Sequence, residues 1–170
     1  STGASDWSAI AAGVDHTVVV KWNGTLWAWG NNKNGQLGDG NAASIDTREA
    51  TRGTPTQEAG GSRNWSTSAT GGYHTVARQS DRTLWTWGFN SSGQLCDGTN
   101  GSKALPTQPG SWATNMSAIA AGGAHTVALK WNAFLDMFWT WSSVGTAVDS
   151  RPRQIGYGSN WSVIAAGGAH

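Results

Sequence analysis

The chain has 170 residues, a formal net charge of +1, and charged side chains at only 12% of its positions. Because no cluster of lysine and arginine occurs, nucleic-acid binding is disfavoured as a function. Neither a charged-then-apolar leader nor an apolar stretch of about 18 residues is present, so we expect no membrane contact. The 24 glycines and 12 tryptophans favour a globular, β-rich fold.

One short segment recurs four times, and in each copy a histidine follows nine residues after a tryptophan or methionine. The four segments run from Trp7 to His16, from Trp65 to His74, from Met116 to His125 and from Trp161 to His170. The histidines follow one another at intervals of 58, 51 and 45 residues. An internal repeat of this length is typical of a protein built from stacked or radially arranged units.

Two further blocks follow the first segment of a repeat. The sequence Thr-Leu-Trp-Ala-Trp-Gly at residues 25–30 returns at 83–88 with one exchange, and more loosely at 138–142. The sequence Gly-Gln-Leu-Gly-Asp-Gly at residues 35–40 returns at 93–98 with cysteine in place of one glycine. A proline then precedes the next segment each time, at Pro55, Pro106 and Pro152.

Each repeat predicts four short strands, which is the composition of a β-propeller blade. In the first repeat we place them at residues 10–13, 16–21 and 26–29, with an outer strand around 55–57. The Asn23-Gly24 pair predicts a tight turn between the second and third strands. Pro55 is compatible only with an edge strand, because proline lacks the backbone N–H that an inner strand needs.

The combined pattern resembles the regulator of chromosome condensation repeat. It comprises Trp-x-x-Ile-Ala-Ala-Gly-x-x-His-Thr, then Thr-Leu-Trp-x-Trp-Gly-x-Asn-x-x-Gly-Gln-Leu-Gly-Asp-Gly, with Asn32 and Asn90 at the asparagine of the motif. The resemblance covers nearly the whole chain. It implies an all-β propeller with blades of four antiparallel strands and about seven blades in the ring.

On this basis we expect residues 1–170 to form one propeller segment. The repeats are predicted at 7–64, 65–115 and 116–160, with a partial repeat at 161–170, giving three blades and one extra strand. Three blades do not close a ring and would leave sheet faces and strand edges open. We therefore expect further blades to close the ring, supplied by a longer chain or by other copies of this one.

The third repeat departs from the pattern. Its histidine-to-tryptophan spacing, from His125 to Trp139, is 14 residues, against 11 from His16 to Trp27. The Gly-Gln-Leu-Gly-Asp-Gly block is also replaced there by Ser143-Val144-Gly145-Thr146. We expect a distorted second hairpin in this blade.

The titratable residues of the repeat favour structural roles over catalysis. Repeat-equivalent histidines lie one per blade, so they cannot converge on one metal ion, and we expect each to make a buried hydrogen bond. Cys96 occupies a glycine position of the motif and lacks a nucleophile signature; as a lone cysteine it leaves the cellular compartment open. Asp39 and Asp97 are expected to stabilise turns. We predict no enzyme activity, no metal site and no cofactor.

Two tryptophans outside the repeat pattern are the candidate binding residues. Trp22 and Trp131 each lie six residues after the repeat histidine, at a hairpin turn where the second repeat has Ser80. Since serine suffices there, packing within the repeat does not require tryptophan, and exposed aromatic rings often anchor partners. The alternative is that the two rings cover the outer edge of a blade.

The favoured function is a non-catalytic protein-interaction scaffold, with specificity supplied by the loops at residues 41–54 and 99–105. A carbohydrate-binding propeller is the alternative, given the neutral surface and the two tryptophans. The family resemblance also implies guanine-nucleotide exchange on a small GTPase as a further alternative, although no residue here can be matched to that activity. The ultraviolet-B photoreceptor of this family senses light through tryptophans in a Gly-Trp-Arg-His-Thr motif, and both the Trp and the Arg are absent here.

Overall fold

The computed structural model describes residues 6–41, 51–132, 135–141, 153–158 and 164–168. Those residues contain twelve strands and no helix, and the strands form three sheets of four antiparallel strands each. The predicted all-β architecture of four-stranded blades is therefore confirmed. We number the sheets blade 1, blade 2 and blade 3 in chain order.

Within a blade the strands pair in sequence order, from the innermost to the outermost. Blade 1 consists of β1 (Trp7–Ala12), β2 (His16–Lys21), β3 (Leu26–Asn31) and β4 (Thr51–Gln57). Blade 2 consists of β5 (Trp65–Thr70), β6 (His74–Gln79), β7 (Leu84–Gly88) and β8 (Lys103–Thr107). Blade 3 consists of β9 (Met116–Ala121), β10 (Thr126–Asn132), β11 (Leu135–Trp141) and β12 (Arg153–Gly158).

The β2–β3 hairpin forms as its turn residues predict. Gly24 has a φ of 76°, a conformation that glycine adopts without steric cost. The Asn23 side-chain oxygen accepts hydrogen bonds from the backbone N–H and the hydroxyl of Thr25, which fixes the turn. The first strand begins at Trp7, three residues earlier than expected, because Trp7 pairs with Lys21 across a register shift.

The core lies between blades rather than inside any one of them. Residues of β2 alternate between two faces, so Val18 and Val20 point towards blade 2 while Val19 lies on the opposite face. The first cluster joins residues of blade 1 and blade 2: Val18, Val20, Leu26, Ala28 and Leu37 with Trp65, Ala77 and Trp87. A second cluster joins blade 2 and blade 3 in the same way: Val76, Leu84, Cys96 and Ala113 with Met116 and Ala128.

The two strands of the second hairpin of blade 3 are longer than their equivalents and pair regularly, so the expected distortion is not found in the described part of this hairpin. β10 and β11 pair without a register shift from Thr126 opposite Trp141 to Asn132 opposite Leu135. The additional residues extend the two strands symmetrically. The irregularity lies one strand further out, where the pairing of β11 with β12 shifts between Phe138 and Trp139.

The fourth repeat segment contacts blade 3 at the centre of the assembly. The backbone N–H of Gly123 donates to the carbonyl oxygens of Gly167, at 3.3 Å, and Gly168, at 2.9 Å. Residues 164–168 have no assigned strand, so the expected extra strand is not seen in this part of the described chain. Trp161 and His170 lie outside the described residues.

Candidate functional site

A three-membered hydrogen-bond chain joins blade 1 to blade 2. His16 Nε2 lies 3.0 Å from the hydroxyl oxygen of Thr75, and that hydroxyl donates to the carbonyl oxygen of Gln36 at 2.8 Å. Because the single Thr75 hydrogen is used on Gln36, the hydroxyl must accept from His16. The Nε2 atom therefore carries the proton, and His16 is a neutral donor.

The same chain recurs between blade 2 and blade 3. His74 Nε2 lies 3.0 Å from the Thr126 hydroxyl oxygen, which donates to the carbonyl oxygen of Gln94 at 2.8 Å. His74 and Thr126 are both fully buried. The predicted structural role of the repeat histidines is confirmed at His16 and His74, and each of them binds a residue of the next blade.

Burial keeps these histidines neutral at physiological pH. Desolvation lowers the pKa of His16 to about 4, despite the opposing charge of Asp15. Desolvation also lowers the pKa of His74 to about 3, with smaller contributions from His16 and His125. An imidazole that stays uncharged and bonded to a threonine hydroxyl is a structural joint and is poorly suited to proton transfer near pH 7.

The Gly-Gln-Leu block forms a turn that seats on the following blade. The Gln36 carbonyl oxygen also accepts from the indole nitrogen of Trp87 at 2.9 Å, while Leu37 is buried in the cluster that contains Trp65. Gly38, with a φ of 72°, lies so close that an added Cβ would be 2.8 Å from the Trp87 indole nitrogen. The turn is thus a plug that one blade inserts into the next.

Sequence reasoning did not identify the Gln36 and Gln94 carbonyls as partners of the threonines. A main-chain acceptor leaves no signature in the sequence, because every residue type carries the same backbone carbonyl oxygen. The repeated Gln-Leu pair was the only available signal.

Buried asparagines hold these turns, and the acidic residues of the block assist them. The Asn90 side-chain oxygen accepts from the Leu95 N–H at 2.9 Å, and its nitrogen donates to the carbonyl oxygen of Thr99 and to Asp97. Asp97 also accepts from the backbone and hydroxyl of Thr99. In blade 1, Asn32 binds Asp39 in the same way. Asp39 and Asp97 therefore stabilise turns, as their positions predict.

Cys96 is buried at the glycine position of the second turn. Its φ of 66° lies in the left-handed region that glycine favours, and its glycine equivalent is Gly38. Burial raises the pKa of the Cys96 thiol well above its usual value, and the charge of Asp97 adds to this effect. A buried thiol of high pKa is a poor nucleophile.

Among the described residues, no group of three or more histidine, cysteine, aspartate or glutamate side chains is arranged to hold a metal ion. Nor does that part of the chain contain a helix of the length and apolarity needed to cross a membrane.

The central cavity is lined mainly by small residues. It has a volume of about 250 Å³, and its wall consists of the Ala-Gly ends of the four repeat segments, with Val14 and Thr70 as the largest side chains. Neighbouring blades meet there by main-chain contact, as in the hydrogen bond from Gly72 N–H to the carbonyl oxygen of Gly123 at 3.0 Å. Within the described ranges, no charged side chain lines this cavity, so those residues offer little to orient a polar ligand.

The two candidate tryptophans occupy equivalent positions, six residues after the repeat histidine, but only Trp22 lies at a hairpin turn. The prediction is wrong for Trp131, which lies within β10 opposite Asp136 because the hairpin of blade 3 is longer. Trp22 is 76% exposed and Trp131 is 48% exposed. Both residues and Ser80 make the same backbone hydrogen bond, to the carbonyl oxygens of Asp6, Asn115 and Asn64 respectively. The backbone at these three positions is therefore held in the same way whatever the side chain. The Trp131 ring lies under the Arg82 guanidinium, 5.4 Å from ring centroid to the central carbon, whereas the Trp22 ring is mostly in solvent.

Comparison with known proteins agrees with this geometry. The regulator of chromosome condensation (RCC1) repeat description matches residues 23–78 and 81–129, and a second description of the same repeat matches residues 7–36. The X-linked retinitis pigmentosa GTPase regulator homolog of Caenorhabditis elegans is 36% identical over 124 residues, which is 71% of this chain and 8% of that protein. The ultraviolet-B receptor UVR8 of Arabidopsis thaliana is 31% identical over 150 residues, which is 88% of this chain and 31% of the receptor.

Among solved structures, Prp20p of Saccharomyces cerevisiae superposes with a TM-score of 0.74 at 20% sequence identity. The match covers 98% of this chain and 43% of Prp20p. The chain thus spans less than half the length of each of these proteins. With the repeat matched over most of the described blades, the chain belongs to the regulator of chromosome condensation (RCC1) repeat family.

Proposed function

We propose that the chain is a non-catalytic protein-interaction scaffold whose binding residues include Trp22 and Trp131. The observation that carries the proposal is the 76% exposure of Trp22 at a tip whose equivalent in blade 2 is Ser80. Exposing a large aromatic ring to water is unfavourable, and such rings are enriched among residues that dominate protein interfaces. The rigid joints between the blades would hold these rings in fixed positions.

The titratable groups of the repeat support a role without catalysis. His16 and His74 are neutral donors within the blade joints, and Cys96 is buried with a raised pKa. Relatives within the fold bind proteins: Prp20p has been studied for its binding to Gsp1p and histones. The likeness to Prp20p rests on 20% identity and carries the fold alone.

The same proposal includes the division of the chain into successive units of one propeller segment. The units are the repeats at residues 7–64, 65–115 and 116–160 and the partial repeat at 161–170. In this arrangement Trp22 and Trp131 project from the first and third units, with Ser80 between them. A partner would then contact the rim of the assembly across more than one blade.

The experiment places a photoreactive phenylalanine derivative at position 22 and irradiates the chain with core histones, Gsp1p and whole-cell extract. We expect covalent protein adducts at position 22 and none when the same group replaces Asn100, an exposed loop residue that serves as the control. Adducts should weaken at least fivefold when Trp131 is also replaced by alanine. Equal labelling at positions 22 and 100 would refute a specific partner.

Carbohydrate binding is the second candidate, favoured by the solvent-exposed Trp22 ring beside the polar Asn23. Aromatic rings commonly pack on the apolar faces of sugars. A glycan array would distinguish the two functions: binding by the native chain that is lost in W22A and W131A, together with an absence of protein adducts at position 22, would replace the scaffold proposal.

A further inference from the structure

The chain contains three Asn-Gly pairs, and the structure gives them different surroundings. The pairs are Asn23-Gly24, Asn34-Gly35 and Asn100-Gly101. In such a pair the backbone nitrogen of the glycine can attack the side-chain amide of the asparagine, because glycine has no Cβ to hinder the approach and its backbone is conformationally permissive. The attack requires a glycine N–H that can lose its proton and an asparagine side chain that can turn towards it. The local structure therefore decides which pair reacts.

The fold holds the first two pairs in hydrogen-bonded turns. The Gly24 N–H donates to the carbonyl oxygen of Lys21 at 2.9 Å, and the Asn23 side-chain oxygen accepts from the backbone N–H and the hydroxyl of Thr25. The glycine N–H of the second pair donates to the carbonyl oxygen of Asn32 at 3.0 Å. A backbone N–H that is held in this way becomes available only when the turn opens locally, so both pairs are protected in the folded chain.

The third pair lies in the loop between β7 and β8 without such restraints. Asn100 and Gly101 are both exposed. Among the residues that the structure describes, none receives a hydrogen bond from the Gly101 N–H or forms one with the Asn100 side chain. The space around the Cβ direction of Gly101 is also open, which leaves room for a ring to form there.

The reaction at this pair needs only water. The Gly101 nitrogen loses its proton to solvent and bonds to Cγ of Asn100, and ammonia leaves from the same carbon. The resulting succinimide joins both carbonyl carbons of residue 100 to one nitrogen. Water then cleaves either the bond to Cγ, which gives aspartate, or the bond to the main-chain carbonyl carbon, which gives isoaspartate. The net change is the uptake of water and the release of ammonia.

The position of the pair connects this reaction to the turn that blade 2 inserts into blade 3. The side-chain nitrogen of the buried Asn90 donates to the carbonyl oxygens of Thr99, at 2.8 Å, and Gly101, at 3.2 Å, which flank residue 100. The side-chain oxygen of Asn90 accepts from the Leu95 N–H at 2.9 Å. An isoaspartate routes the main chain through the side chain and adds an atom between the two acceptors, so their separation must change.

We propose that Asn100 is a site of spontaneous deamidation, selected by the fold from the three Asn-Gly pairs, and that its isoaspartyl product weakens the turn held by Asn90. The turn bears Gln94, whose carbonyl oxygen accepts from Thr126, so the modification acts on the junction between blade 2 and blade 3. The proposal does not depend on the scaffold function, because neither Trp22 nor Trp131 takes part in it.

The first experiment ages the native chain and the chain in guanidinium chloride in the same mildly alkaline buffer and measures deamidation at each pair by peptide mass spectrometry. In the native chain Asn100 should react at least about tenfold faster than Asn23 and Asn34. In denaturant the three rates should agree within about threefold, since each asparagine is then followed by an unhindered glycine. Equal rates in the native chain would overturn the proposal, and so would a tenfold preference for Asn100 that persists in denaturant.

The matched control for the chemistry is G101A, which adds a Cβ beside the attacking nitrogen where the structure has open space. It should keep the native fold by circular dichroism and slow deamidation at position 100 at least about tenfold. An unchanged rate at position 100 in folded G101A would contradict attack by the residue 101 nitrogen.

The second experiment tests the consequence for the turn. The isoaspartyl form of the aged chain is separated by ion exchange and identified by methylation of its free α-carboxylate with an isoaspartyl methyltransferase. Hydrogen exchange of the Leu95 N–H should be at least about fivefold faster in this form than in the native chain. N100D carries the same added charge on a normal linkage and should stay within about twofold of native. Unchanged exchange in the isoaspartyl form would overturn the predicted weakening of the turn, and so would an equal rise in N100D, because charge alone would then explain it.

Discussion

The His74 imidazole donates from Nε2 to the hydroxyl oxygen of Thr126, 3.0 Å away and 52 residues later in the chain. Both side chains are fully buried between blade 2 and blade 3. The Thr126 hydroxyl in turn donates a hydrogen bond to the Gln94 carbonyl oxygen. These two bonds therefore connect three segments of the chain. This joint, repeated at His16, accounts for the histidine of the first two repeats.

The side chains of His74 and Thr126 should be energetically coupled and not only adjacent. H74A and T126V are each expected to lower the free energy of unfolding by about 2 kcal/mol, since each leaves a buried polar partner unsatisfied. The double variant should lose about 1 kcal/mol less than the sum of the two, measured by urea denaturation. Strict additivity would show that His74 and Thr126 do not interact in solution.

Stability should fall in mild acid because of these histidines. The folded pKa values of about 4 for His16 and about 3 for His74 lie below the ordinary value of 6.5, so the unfolded chain binds protons that the folded chain excludes. The stabilising contribution is complete above pH 6.5 and is lost as the pH falls from there towards pH 4. The slope is about 1.4 kcal/mol per pH unit for each histidine.

The control for this pH dependence is H74Q, which keeps a donor but cannot titrate. In H74Q the slope between pH 6 and pH 4 should be about half of the native slope, because His16 still titrates. Chemical denaturation at four pH values within that window measures it. A slope that is identical in the native chain and H74Q would show that His74 is not protonated on unfolding.

Close main-chain packing at the centre should make one glycine irreplaceable. A Cβ on Gly71 would lie 2.5 Å from the carbonyl oxygen of Gly122 in blade 3 and would also meet the His74 ring. We expect G71A to cost about 2 to 3 kcal/mol of stability through overpacking. Gly101 has open space around its Cβ direction, so G101A is the matched control and should change the thermal midpoint by less than 1 °C. Similar midpoints for both variants would mean that the blades are not in contact at Gly71.

The repeat spacing was enough to predict the blades, the Asn23-Gly24 turn and the buried role of His16. These features depend on local sequence patterns that recur in the repeats, so a prediction made for one repeat can be compared with the sequence of the others. The joint between His74 and Thr126 was not predictable in detail, because its partners lie in different repeats and its last acceptor is a main-chain atom. The regular hairpin of blade 3 was missed for another reason: three additional residues can lengthen two paired strands as readily as they distort a turn.

The asparagine of the turn block should be essential for the plug that connects blades. Asn90 is fully buried, and it satisfies the Leu95 N–H while donating to the carbonyl oxygens of Thr99 and Gly101. N90A removes these bonds and leaves the buried Leu95 N–H without a partner, at a cost of about 2 to 3 kcal/mol. Since the turn bears Gln94, whose carbonyl accepts from Thr126, the joint with blade 3 should open at the same time.

Amide hydrogen exchange gives the spatial test of this effect. In N90A, protection should fall at residues 93–96 and in β9 and β10, while β1 to β3 of blade 1 keep their native protection. N100A removes an exposed asparagine of the same loop and should leave all rates within twofold of native. Uniform loss of protection across the three blades in N90A would mean that the turn acts on global stability alone and not on the junction between blade 2 and blade 3.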